Sequence, residues 1–200
     1  MKRILLSLLM VVGCFSMSMA QTSAKQVLDK CAATVTAKDG VQADFTMTSA
    51  QYGSASGTIA VKGRMFHAKT AVASMWFDGK TQWTYMKKND EVNVTNPTDV
   101  QLQSIIPYNF INLYKKGYKY TMTTADAAYT VHLTSTKKAR ISELFITVDK
   151  KSYQPKEVKL LQNKKWTTFT ISNLKQVKMD DAAFRFNSKD FPTAEVIDLR

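Results

Sequence analysis

The sequence predicts a mainly β protein, in which an antiparallel sheet of about ten or eleven short strands closes toward a barrel and packs against one helix. Three observations predict this fold. One early segment has helical periodicity, most of the remaining chain alternates at period two, and turn residues separate the short runs at near-regular spacing. No linker rich in Pro, Gly or Ser divides the chain, so we expect one domain.

The first twenty residues have the layout of a secretory signal peptide. Lys2 and Arg3 form a short cationic region, an apolar run follows, and a small-x-small cleavage site ends at Ala20. Because the apolar run is too short to be a permanent membrane anchor, we expect residues 1–20 to be removed on export. The mature protein is then a single domain of residues 21–200.

Cys14 leaves a second interpretation of this segment open. Val11-Val12-Gly13-Cys14 could serve as a lipidation site, with Cys14 as an acylated N-terminus that holds the protein on a membrane. Cleavage after Ala20 would instead give a product that diffuses. Its one cysteine would be Cys31, which alone cannot form an internal disulfide.

The segment after the cleavage site is predicted to be an amphipathic helix. Ser23 is a suitable N-cap, and Gly40 ends the segment. Apolar residues recur on one face at three- and four-residue spacing: Ala24, Val27, Leu28, Cys31, Ala32 and Val35. We therefore interpret Cys31 as a small buried hydrophobic residue, and expect the helix to pack on the concave side of the sheet.

Period-two alternation begins at Val41 and predicts strands with one buried face. The β-type runs are Val41 to Met47, Thr58 to Lys62, Met65 to Lys69, Ala73 to Phe77, Gln82 to Lys87, Glu91 to Thr95, Tyr118 to Thr123, Tyr129 to Thr134, Ile141 to Asp149, Lys156 to Leu161 and Trp166 to Leu174. Asp78-Gly79 is a strong hairpin signal between two of them. Between the sixth and seventh runs, residues 98–106 and a patch at 110–114 favour short helical segments instead.

The sequence has no recognisable catalytic or metal-binding constellation. His67 and His132 are its two histidines, and neither has a cysteine or carboxylate pair at metal-ligand spacing. Nucleophile-elbow and phosphate-loop motifs are missing too, so a hydrolase or other enzyme would lack a visible nucleophile and base. Asp180-Asp181 is interpreted as a solvated turn. We therefore expect a binding protein without catalytic residues, metal or cofactor.

The formal net charge of +12 is carried partly by lysine doublets at predicted turns, such as Lys87-Lys88 and Lys137-Lys138. A basic protein invites a nucleic-acid interpretation, but both the scattering of the lysines and the predicted export argue against it. Solubility, or attraction to anionic membrane surfaces and acidic partners, fits the charge better.

Large apolar side chains stand out on the predicted strands: Phe45, Phe66, Trp76, Phe77, Trp83, Tyr85, Phe145, Trp166 and Phe169. Two interpretations stay open at this point. The side chains could fill an ordinary sandwich core, or a half-closed curved sheet could leave an apolar cavity between them.

Three stretches of the sequence are informative when taken in order. They are Ala43-Asp44-Phe45, then Gly57 to Phe66 with the hairpin Asp78-Gly79-Lys80-Thr81-Gln82-Trp83-Thr84-Tyr85, and finally Asp181 to Phe186. Together they resemble the LolA family of periplasmic lipoprotein carriers. The hairpin is the most specific of these, and order and spacing agree over nearly the whole mature chain. The resemblance implies an unclosed antiparallel half-barrel in the periplasm, with short lid helices over an apolar cavity.

The resemblance also implies a function and a site. A carrier of this family takes lipoprotein acyl chains from an inner-membrane lipoprotein-releasing transporter and passes them to an outer-membrane acceptor, without a covalent step. Leu28 of the helix and Phe66 of the strands would line the cavity. Strand alternation and bulk add weaker candidates: Phe45, Ile59, Val61, Trp76, Trp83, Phe110 and Ile146. We expect a monomer.

One motif departs from the family pattern. Well-known carriers have Lys-Arg-Pro after this strand, with an arginine that latches the lid, whereas Lys62-Gly63-Arg64 here has no proline. Arg64 is the nearest latch candidate, with a solvent-exposed arginine as the alternative. A membrane-anchored, LolB-like acceptor is the alternative function if Cys14 is acylated, and another exported lipid-binding protein also remains open.

Overall fold

A computed structural model describes residues 22–102 and 113–200 of the chain. The predicted signal peptide, with Cys14 and Ala20, lies outside the described residues, as does the predicted cavity residue Phe110.

The predicted N-terminal helix is confirmed as α1, Ala24–Val35. Ser23 caps it through a reciprocal pair of hydrogen bonds: its hydroxyl accepts from the Gln26 backbone N–H, and the Gln26 side chain accepts from the Ser23 N–H. The apolar face, including Leu28 and Cys31, is buried. No helix in the described ranges is both long enough and apolar enough to cross a membrane.

Twelve strands in the described residues form one sheet: β1 (Val41–Ser49), β2 (Gly53–Lys62), β3 (Met65–Thr70), β4 (Ala73–Phe77), β5 (Gln82–Met86), β6 (Glu91–Thr95), β7 (Tyr118–Thr124), β8 (Ala128–Ser135), β9 (Ile141–Asp149), β10 (Pro155–Gln162), β11 (Lys165–Gln176) and β12 (Glu195–Asp198). Their order is β12-β6-β5-β4-β3-β2-β1-β11-β10-β9-β8-β7. A short helix, α2 (Asp99–Leu102), follows β6.

The sheet is antiparallel except at one edge, where β12 runs parallel to β6. β1 and β11 are far apart in sequence, yet they lie side by side in the sheet and pair antiparallel over almost their full length. Because β12 and β7 remain the two edges, the sheet is an unclosed half-barrel, which confirms the predicted fold class. The twelfth strand was not predicted from the sequence.

The inner face of the sheet carries two separate apolar clusters. The first lies under α1 and joins it to β7–β11; Leu28, Leu144 and Ile146 are fully buried there. The second lies on β1–β4 and includes Phe66 and Phe77, together with Leu102 of α2. The helix therefore covers one half of the inner face, and α2 contacts the other half.

Candidate functional site

An apolar cavity of about 210 Å³ lies on the inner face, between the two clusters. Side chains from β1, β2, β3, β4, β10 and β11 line it, including Phe45, Met47, Ile59, Phe66, Met75, Leu160 and Phe169. Since successive strand residues point to opposite faces, the alternate positions of each strand reach the same cavity.

The strand register explains why space remains between such large side chains. Across the β1–β2 and β2–β3 pairs, a large residue faces a small one: Phe45 faces Gly57, Met47 faces Ala55, and Ile59 faces Ala68. Cross-strand partners on one face are close neighbours, so a small partner leaves volume that its large neighbour does not fill. The cavity therefore follows from the pairing of residues that are far apart in sequence.

The cavity lining also includes a few polar side chains. Among them, Thr167 shares a hydrogen bond with Ser49, 2.8 Å between the two hydroxyl oxygens. The nearby Gln162 is buried, and its Nε2 makes no hydrogen bond to any described residue. The remaining lining is almost entirely hydrocarbon and sulfur, which favours an apolar ligand.

α2 sits beside the cavity as a short, well-capped turn. The Thr98 hydroxyl accepts a hydrogen bond from the Gln101 backbone N–H, and the Gln101 side chain accepts one from the Thr98 N–H. Leu102, at the end of the turn, is buried against the second cluster. Phe66 belongs to that cluster and also lines the cavity, which places α2 next to one wall of the cavity.

Arg64 contacts the start of this turn. Its Nη2 lies 2.7 Å from Oδ1 of Asp99, the first residue of α2. Both side chains are largely exposed, 69% for Arg64 and 77% for Asp99, so the pair is worth at most about 1 kcal/mol. The latch candidate is thus in contact with the segment that a latch would hold.

The structure brings together only some of the predicted cavity residues. Phe45, Ile59 and Phe66 line the cavity, and Val61 lies next to it in the second cluster. Leu28 and Ile146 are fully buried under α1, in the first cluster. Their surroundings are those of a packed core, so a substitution at either position is expected to act on folding.

Trp76 and Trp83 lie on the outer face, which corrects their predicted placement. Phe66 pairs with Phe77 toward the inner face, so the adjacent His67 and Trp76 pair on the outer one, and Trp83 faces Trp76 across β4–β5. Large apolar side chains such as these were expected to line the cavity. They can lie on the outer face because a second segment of chain covers that face here. Phe186 and Phe191, from the segment before β12, pack on Trp76 with ring centroids 5.6 Å away.

Sequence reasoning missed several residues that line the cavity or cover it. Met47, Met75 and Leu160 line the cavity and Leu102 covers the second cluster, none of which stood out by size. Met47 follows Phe45 at the same strand phase, so alternation alone could have included it. Leu102 carried no such signal, because its burial depends on contacts with distant strands.

The described residues define a class of protein: an unclosed β half-barrel with one packed helix, an apolar inner cavity and a short helix beside that cavity. A family model described as outer membrane lipoprotein carrier protein LolA matches residues 15–164 of this chain. The chain belongs to the LolA family, which confirms the resemblance seen in the sequence.

Two solved structures with TM-scores of 0.50 or above agree with this fold at low sequence identity. An uncharacterized conserved protein from Thermus thermophilus is 12% identical, with a TM-score of 0.59 over 88% of this chain and 98% of that one. MucB is 11% identical, with a TM-score of 0.50 over 82% of this chain and 63% of that one. A LolA superfamily protein from Nitrosomonas europaea, 11% identical, gives a TM-score of 0.45 over 82% of this chain and 98% of that one. No curated protein sequence matches the chain.

Proposed function

We propose that this protein is an exported, periplasmic carrier that holds lipoprotein acyl chains in its inner cavity and ferries lipoproteins from the inner to the outer membrane. The observation that supports this most directly is the apolar cavity with a short helix beside it, in a chain of the LolA family. Its partners would be acylated lipoproteins, an inner-membrane releasing transporter and an outer-membrane acceptor. Binding and release require no catalytic group.

The size of the cavity sets a condition on this function. At ~30 Å³ for a water-sized group, 210 Å³ holds about seven such groups, which is less than one long acyl chain. A carrier of whole chains therefore has to open, and α2, a single short turn beside the cavity, is the element that we expect to move.

The free energy lost when α2 is lifted can be compared with the free energy gained when methylene groups enter the cavity. Uncovering Leu102 costs about 1.5–3 kcal/mol, and breaking the exposed Arg64–Asp99 pair adds at most ~1 kcal/mol. Each further methylene that enters contributes ~0.8 kcal/mol, so about two to five methylenes offset these contacts. A long acyl chain can thus hold the cover open, whereas a short one cannot.

A release assay tests the carrier function. Mature protein is incubated with vesicles that contain the releasing transporter and a triacylated lipoprotein, and the lipoprotein in the supernatant is measured after pelleting. We expect a soluble complex with the wild-type protein. Lipoprotein that stays in the pellet would contradict the proposal.

A matched pair of variants on β2 connects the assay to the cavity. Ile59→Glu places a charge in the apolar lining and should abolish release, because an unpaired carboxylate is costly there. Thr58→Glu puts the same side chain on the exposed outer face of the strand and should leave release intact. Circular dichroism checks that both variants fold. Equal release by the two folded variants would place the acyl chains elsewhere.

The latch has its own test. Arg64→Ala, Asp99→Ala and the double variant form a cycle in which the exchange rate of a fluorescent fatty acid is measured. If the pair holds α2, each single variant speeds exchange and the double variant adds nothing further. Additive effects would assign Arg64 to another role.

The alternative, a membrane-anchored acceptor, depends on Cys14. Mass spectrometry of the mature N-terminus separates the two: an unmodified Gln21 supports the diffusing carrier, and an acylated Cys14 supports the acceptor.

A further inference from the structure

A second, larger groove of about 760 Å³ lies on the outer face of β3–β5. One side is formed by residues 182–191, a segment that includes parts of two short 3-10 turns, Asp181–Phe184 and Ser188–Asp190. The groove is separated from the inner cavity by the sheet itself, since Trp76 lines the groove and its strand neighbour Met75 lines the cavity. Its volume is in the range of small-molecule sites.

The floor of the groove is aromatic. Trp76 packs edge-on against Phe186 and Phe191, and Tyr85 lies 4.6 Å from Phe191 between ring centroids. These rings are fixed by each other and by the strands, so they offer a preformed apolar wall for a planar or short aliphatic group.

Positive charge is concentrated at one end. Lys69 of β3, Ser74 of β4 and Tyr85 of β5 form one row across the strands, and Lys87 follows two residues beyond Tyr85. No described carboxylate forms an ion pair with either lysine. The opposite end differs, because the groove's arginine there, Arg185, is paired with a carboxylate.

Among the described residues that line the groove, the one acidic side chain is Asp190, which accepts a hydrogen bond from Asn187, 3.2 Å between Nδ2 and Oδ2. At the other end, Arg185 is balanced by Asp78, 3.4 Å between Nε and Oδ2. Two lysines against the one carboxylate of Asp190 leave the groove lining with an excess of one positive charge.

His67 lies between the aromatic floor and the lysines. Its ring stacks on Trp76 at 4.8 Å, and its buried Nε2 makes no hydrogen bond to any described residue. Burial, with Lys69 adding to it, lowers the pKa of His67, so the imidazole is neutral at neutral pH. Because His67 lines the groove, its ring protons report on a ligand bound there.

We infer that this groove binds a small organic anion, in which a ring or short alkyl body carries a carboxylate or a phosphate. The body lies on the rings of Tyr85 and Phe191, and the anionic group lies between Lys69 and Lys87, next to His67. This site is independent of the acyl-chain cavity, because it occupies the other face of the sheet.

The two histidines of the chain allow a direct test by NMR. His67 lines the groove, whereas His132 is far along the sheet on β8, stacked on Phe145 and bonded to Glu143. Titration with phenyl phosphate or hydrocinnamate should shift the His67 ring protons saturably and leave those of His132 unchanged. Comparing the two probes decides between phosphate and carboxylate. Benzyl alcohol, which lacks the charge, and inorganic phosphate, which lacks the ring, should both bind more weakly.

Paired lysine variants complete the test. The double variant Lys69→Ala with Lys87→Ala should weaken the binding of the anionic probes about tenfold, as expected for the loss of two exposed charge contacts. The binding of benzyl alcohol should not change. Lys137→Ala with Lys138→Ala removes the same charge from an exposed turn and should change nothing. The inference is overturned if His67 and His132 respond equally, if no probe shifts His67, or if both double variants bind alike. None of these results depends on lipoprotein release.

Discussion

Leu28→Ala is the substitution that separates packed core from cavity lining most clearly. Leu28 is fully buried among the residues that join α1 to β7–β11. Removing its three outer carbons leaves a void that the surrounding strands cannot fill, and such truncations cost about 2–5 kcal/mol. We expect a loss of about 3 kcal/mol, which is a large share of the roughly 5–15 kcal/mol typical of a folded domain.

Urea denaturation of the mature protein, followed by fluorescence or circular dichroism, measures this loss. The midpoint should fall with an unchanged slope, and thermal unfolding should begin about 6–12 °C lower. Leu199→Ala is the matched control, because the same atoms are removed from a side chain that is 61% exposed. Its expected effect is below about 0.5 kcal/mol.

Binding of a fluorescent fatty acid gives the second readout. Below its melting temperature, Leu28→Ala should bind the fatty acid with an affinity within about twofold of the wild type, since Leu28 does not line the described cavity. Ile59→Ala should do the reverse, with about 1 kcal/mol of destabilisation and clearly weaker binding. The reasoning is refuted if Leu28→Ala costs less than about 1 kcal/mol and weakens binding more than Ile59→Ala does.

Three further predictions concern single positions. Cys31 is buried, and burial raises the pKa of its thiol to about 12. A thiol reagent at pH 8 should therefore label it only after urea is added. Rapid labelling of the native protein would contradict this. Gly57→Ala should lower the free energy of unfolding by at least about 2 kcal/mol in a urea titration, because a Cβ there would clash with the Lys69 carbonyl oxygen. A loss below about 0.5 kcal/mol would mean that β2 and β3 separate freely. The Lys25 ammonium, and then the Tyr114 hydroxyl, lower the pKa of Asp29, so the carboxylate contributes stability that is lost as pH falls through that lowered value. Tyr114→Phe removes one donor and should raise the pKa of Asp29 toward its ordinary value in a carboxyl NMR titration; an unchanged pKa would show that this hydrogen bond contributes nothing.

The local elements could be predicted from the sequence because their causes are local. The capping box at Ser23 and the apolar spacing of α1 involve residues three and four apart, and the Asp78-Gly79 turn connects adjacent strands. Period-two alternation located the strands for the same reason. The strand β12 was missed because it is only four residues long and is held by parallel pairing with β6, a partner about one hundred residues earlier in the chain.

The site could be predicted only in part, because alternation gives two faces without saying which one is inside. Trp76 and Trp83 have the size of cavity residues, but the register with β3 turns them outward, where Phe186 and Phe191 pack on Trp76. Leu28 has the periodicity of a buried residue, and periodicity does not distinguish core from cavity lining.

By itself, the sequence determined the helix, the short antiparallel strands and the resemblance to the LolA family, since these rest on spacing and short motifs. The tertiary structure alone decided where empty volume remains. The inner cavity exists because large residues of β1 and β2 face Gly57, Ala55 and Ala68 across the sheet, and the outer groove exists because the C-terminal segment returns over β3–β5. Both depend on strand register and on contacts between distant residues, and neither is encoded in any short stretch of chain.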